Sequence, residues 1–150
     1  MSESTALSTD TMLPESVESL AAEAVDIVGV REYIAEESDR IFAKIEACEA
    51  FSSGSRDADA FFFATGLPIA NAVIHYRTPP ENLVRAREWA RLRWPEEEDP
   101  SVALATFTLI YMIGEGWKRY SKIAEKKPLW ERIRAHVTAL AEEPSPATAA

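Results

Sequence analysis

A chain of 150 residues fits one domain, and at this length folding hides roughly 70% of the unfolded surface, so a core can form without metals or disulfides. With 47% apolar and 27% charged residues the composition excludes a disordered or fibrous protein, and the longest apolar stretch, 102–113, falls well short of the ~20 residues of a membrane-spanning helix. The net charge of -9 opposes nucleic-acid backbones and acidic membranes.

That charge is unevenly spread. Residues 1–60 carry 14 Asp and Glu against 4 Lys and Arg, whereas residues 61–150 carry 11 against 12. The excess acid is N-terminal and steers toward basic partners. The single Cys48 cannot form an internal disulfide and reads as a small buried hydrophobe of a reducing compartment. Residues 1–11 lack the basic and apolar regions of a secretory signal, so a cytoplasmic location is the expectation.

Proline marks several helix starts, because its missing N–H is not needed in a first turn and its fixed φ suits a helix. The first helix opens near Pro14 and runs to about Val28, with Val17, Leu20, Ala21, Ala24, Ile27 and Val28 at helical spacing. Gly29 is a break or a weak point before a second helix, about Val30 to Phe51, carried by Ile34, Ile41, Ile45 and Cys48. A segment from Asp57 to Thr65 follows, dense in apolar residues at Phe61, Phe62 and Phe63 and ended by Gly66. Residues 68–76 suit a helix or a strand by pattern, and Pro68 with the alanines favours helix. Thr78, Pro79, Pro80 and Glu81 read as a capping box for a basic amphipathic helix to Trp94.

After the acidic loop Glu96 to Asp99, Asp99 caps a helix at about 101–113 that is apolar nearly all round, the mark of a central helix. Gly114 and Gly116 predict a kink, beyond which Trp117, Tyr120 and Ile123 continue the stripe. The last helix, about 128–141, turns Leu129, Trp130, Ile133, Val137 and Leu140 inward. The sum is an all-α protein: an irregular orthogonal bundle of six or seven short helices in one domain spanning 14–142, with tails at 1–13 and 143–150.

Candidate chemistry is sparse. Neither His75 nor His136 follows a Glu at the spacing of di-iron bundles, and one Cys with two His cannot build a structural zinc site. Glu32, Glu36 and Asp39 share a helix face that suits a hard cation if another helix adds oxygens, and suits solvent otherwise. Gly114-Glu115-Gly116-Trp117-Lys118 lacks the strand and the ending of a phosphate loop. Asn71 and His75 stand one turn apart beside Tyr76 and Arg77 and are the best pair for holding a polar ligand. Ala64 to Pro68 matches a helix-turn-helix turn poorly, because bulky Phe62 stands where a small residue is needed and 69–74 offers nothing to base edges.

Four tryptophans lie beside Arg or Lys and serve as core caps or interface anchors. Trp89 is assigned to the interface and Trp130 to the core. The reading that uses most of the sequence is a non-enzymatic interaction module, such as an adaptor, inhibitor, immunity-type or assembly factor. In it Glu32, Glu36, Glu37, Asp39 and Trp89 face another protein with a basic surface. The alternatives are a ligand or enzymatic pocket around Asn71 and His75, and a DNA-associated regulator using Arg85, Arg87 and Arg91. No catalytic residue, metal or cofactor is assigned, and a homodimer stays open.

Overall fold

The computed structural model describes residues 18–48 and 65–142, with side chains as far as residue 135. The expectations for Asp57 to Phe63, for both tails and for the inward side chains of Val137 and Leu140 lie outside these residues. Within them the chain is all-helical, with seven helices packed against each other and no strand. They are α1 (18–28), α2 (Arg31–Glu36), α3 (Ser38–Glu46), α4 (Leu67–Arg77), α5 (Pro80–Arg93), α6 (Pro100–Tyr120) and α7 (Lys127–Glu142). Among the described residues no helix is long and apolar enough to cross a membrane.

Gly29 is a true break. Its φ of 88° lies in the left-handed region that L side chains avoid, and the N–H groups of Gly29 and Val30 both close back on the Val25 carbonyl, ending α1 in a Schellman-type turn. The single second helix expected from Val30 to Phe51 is instead two. Glu37, at φ -104° and ψ 21°, interrupts it, so α2 and α3 each turn one apolar face inward through Ile34 and through Ile41, Phe42 and Ile45. Residues 68–76 are helical, as the proline start favours.

The capping box at Thr78 does not form. Helix α5 begins at Pro80 with Pro79 as its cap, which leaves Thr78 one residue too early, and its Oγ1 is buried without a partner. Asp99 does cap α6, accepting from the Ser101 N–H at 2.9 Å. At Gly114 and Gly116, where a kink is expected, the helix is not interrupted, and α6 runs unbroken from Pro100 to Tyr120.

The reason lies across the seam with α7. A Cβ on Gly116 would fall 2.3 Å from the Trp130 ring, so the glycine is a seat for an indole and not a hinge. Helix α6 packs against α3, α4, α5 and α7 and is buried from Ala103 through Ile110, which makes it the centre of the bundle. Trp130 is 0% exposed and meets Phe42 and Tyr120 at ring-centroid distances of 5.6 Å each. Fully burying a large apolar side chain contributes about 1.5–3 kcal/mol, so this aromatic wedge is a main tie between α3, α6 and α7.

Candidate functional site

The acidic N-terminal helices are largely answered by the chain's own basic half. Glu18 pairs with Arg134 at 3.5 Å, Glu23 with Arg93 at 3.7 Å, Asp39 with Arg119 at 2.9 Å and Glu46 with Lys126 at 3.1 Å. The first three are solvent-exposed pairs, worth under about 1 kcal/mol each, so they matter more for where charge is cancelled than for stability. Two more carboxylates are held locally: Asp26 by Arg31 and Glu37 by Arg40 at 3.0 Å. The Arg31 hydrogen bond keeps the Asp26 carboxyl below the usual aspartate range and raises Arg31 in turn.

Aromatic side chains complete these pairs. Arg31 also donates to the Tyr111 hydroxyl at 3.1 Å. Tyr120 donates to Asp39 at 2.7 Å, and Trp130 donates to Glu46 at 2.6 Å. Burial, then the charge of Glu115, pushes the Tyr111 phenol up; burial, then the hydrogen bond to Asp39, does the same for Tyr120.

The residues expected to form an acidic docking face are therefore only partly unpaired among the described residues. Glu37 and Asp39 are engaged within the fold, and Glu32 and Glu36 alone stand exposed on α2 without an ion pair among the described residues. Glu32, Glu36 and Asp39 do not converge on a cation, and among the described residues no group of three or more His, Cys, Asp or Glu is placed to hold a metal.

Trp89 is not the exposed anchor expected of it. Its ring is 8% exposed, stands edge-on to Phe107 at 5.5 Å, donates to Glu23 at 2.9 Å and lies under the Arg93 guanidinium. The amphipathic face of α5 carries it into the core. Asn71 and His75 do sit one turn apart on α4, but both are exposed and neither lines the concavity beside them.

That concavity is a cleft of about 480 Å³ between α2–α3 and α4. Its apolar floor includes Ile41, Ile69 and Val73. Its walls carry Arg40 and Lys44 from α3, Arg77 from α4, and two tyrosines, Tyr33 and Tyr76. Arg77 stacks over the Tyr33 ring at 4.4 Å, and Arg40 donates to the Tyr33 hydroxyl at 2.9 Å, so both guanidinium groups are steered by one phenol. Tyr76 is 77% exposed at the mouth.

Among the described residues no carboxylate lines this cleft, and neither Lys44 nor Arg77 has an ion pair. The local charge is positive on a chain whose total is -9. Sequence reasoning reached Tyr76 and Arg77, as neighbours of His75, but missed Tyr33, Arg40 and Lys44. Their signal is a tyrosine and basic residues spaced at 33, 40 and 44 along one side of α2–α3, legible only once α4 is known to lie opposite. No protein-family model matches the chain, and no curated protein or solved structure shows significant similarity to it.

Proposed function

We propose that the protein is a non-enzymatic helical interaction module, of the adaptor, inhibitor or assembly-factor kind, that binds a partner protein at the cleft between α2–α3 and α4. The observation that carries this is a concavity with an apolar floor and a rim of Arg, Lys and exposed Tyr, two of whose cations have no carboxylate partner among the described residues although the chain is rich in acid. Tyr and Arg are the residues that interface centres use most, because they combine contact area with directional hydrogen bonds. Glu32 and Glu36 on the adjoining helix remain for a basic patch at the edge of the same partner.

The test is native mass spectrometry of the protein gently purified from its source cells, as wild type and as Ala72→Trp. Ala72 is exposed and lines the cleft, so the indole fills the space without entering the core. A stoichiometric protein partner on the wild type that is lost from the variant supports the reading. A partner kept by Ala72→Trp removes the cleft from it, and a metabolite in place of any protein partner replaces it with a small-ligand pocket.

A further inference from the structure

We infer that the cleft takes an acidic peptide segment of the partner, one that interleaves carboxylates with apolar side chains; this rests on the interaction reading above and names its chemistry. The expectation from composition alone was a basic partner, and the placement of side chains reverses the sign at this surface. Arg40 and Lys44 stand one helical turn apart on one wall, and Arg77 faces them from the other. Glu37 answers Arg40 at 3.0 Å, which leaves Lys44 and Arg77 as the cleft's cations without an ion pair among the described residues.

Arg77 is preorganised. Its guanidinium lies 4.4 Å from the Tyr33 ring centroid, so less rotamer freedom is lost when it meets a carboxylate in its fixed fork. The volume of about 480 Å³ holds several side chains and exceeds what one free anion fills. The floor of Ile41, Ile69 and Val73 gives apolar side chains a place that inorganic phosphate would leave empty.

A single-stranded nucleic acid also offers anions and flat groups, but its charge continues past the cleft. There it meets exposed Glu32 and Glu36 on α2, and a chain of total charge -9. A peptide confines its carboxylates to the cleft, within the screening length of about 8 Å in physiological salt.

The test is fluorescence anisotropy with the full chain and three labelled probes: a short peptide alternating Glu with Leu and Phe, the same peptide with Lys for Glu, and an oligothymidylate of equal length. The Glu peptide is expected to bind, and to weaken about tenfold in Lys44→Glu/Arg77→Glu and as salt rises, while the other probes bind less. Lys44→Gln/Arg77→Gln is expected to fall between, and circular dichroism confirms that each variant is folded. Equal or tighter binding of the Lys peptide or the oligothymidylate, no binding of the Glu peptide, or affinity unchanged in the charge variants overturns the inference. Carried into the mass-spectrometric assay, the variants separate the two claims. A natural partner lost from Ala72→Trp but kept by Lys44→Glu/Arg77→Glu sinks the acidic segment and leaves the interaction module, whereas a partner kept by both sinks both.

Discussion

Substituting Gly116 with Ala probes the seam between α6 and α7 directly. The added Cβ lies 2.3 Å from Cη2 and 2.4 Å from Cζ3 of Trp130, against about 3.5–4.0 Å for carbons in contact. Something must give by more than about 1 Å, and the ring is poorly placed to do so: it is fully buried, tied to Glu46 at 2.6 Å and held between Phe42 and Tyr120. Alanine improves helix propensity over glycine by about 0.8–1 kcal/mol, while overpacking a close-packed site typically costs about 1–3 kcal/mol and opening the seam adds to that. The net expectation is a loss of about 1–2 kcal/mol.

Gly114→Ala is the internal control, because a Cβ there meets nothing within 4 Å and only the propensity gain remains, about 0.5–1 kcal/mol. Urea unfolding followed by far-ultraviolet circular dichroism should therefore move the two midpoints in opposite directions. With a slope of about 1–3 kcal/mol per molar urea, the Gly116→Ala midpoint falls by roughly 0.5–1 M. If Gly116→Ala is as stable as Gly114→Ala, the indole does not rest on that glycine and the account of the seam is wrong.

Gly29→Ala forces a side chain to a φ of 88° and drives its Cβ to 2.9 Å from the Asn82 amide that donates to the Val28 carbonyl. A loss of at least about 1–2 kcal/mol follows, and an unchanged melting temperature by calorimetry would count against it. Glu46→Ala strands the buried Trp130 N–H as well as Lys126 and should cost about 1–3 kcal/mol, more than Lys126→Ala, which leaves the Trp130 hydrogen bond in place; the reverse order in urea unfolding contradicts this. Asp26 is held below its ordinary value of 3.8, so its contribution is complete above that pH and is lost as pH falls through the lower folded value. Asp26→Asn should therefore be slightly less stable than wild type at pH 7, by under about 1 kcal/mol for so exposed a pair, and the gap should close in acid; a gap that persists in acid refutes the linkage. Burial holds Tyr111 and Tyr120 protonated above the usual 10.0, so their contribution is present below that pH and is lost as pH rises through the higher folded values. Alkaline ultraviolet titration of the native protein should show a late phase that disappears in Tyr111→Phe/Tyr120→Phe.

Local signals in the sequence carried most of the secondary structure. Pro68, Pro80, Pro100 and Pro128 each lie in a first helical turn, Asp99 caps where expected, and the apolar run 102–113 does mark the central helix. What failed depended on what stands opposite. A glycine in a helix can bend it or admit a neighbour, and only the position of Trp130 decides for Gly116. Trp89 beside Arg87 and Arg91 reads as an anchor until α1 supplies Glu23 for its N–H. The acidic excess was visible at once, but its cancellation by Arg93, Arg119, Lys126 and Arg134 is a product of helix placement, as is the meeting of Tyr33, Lys44 and Arg77 across the cleft.

The long-range ion pairs also set a timetable for synthesis. Glu18 meets Arg134, 116 residues later, and Asp39 and Glu46 each wait about as long as it takes to make 80 residues for Arg119 and Lys126. At about 5–20 residues per second, Glu18 is made roughly 6–23 s before its charge partner Arg134 exists. Until α6 is made, Ile41, Phe42 and Ile45 of α3 lack the helix that α3 packs against, and α3 is a part of the newborn chain that a holding chaperone would grip.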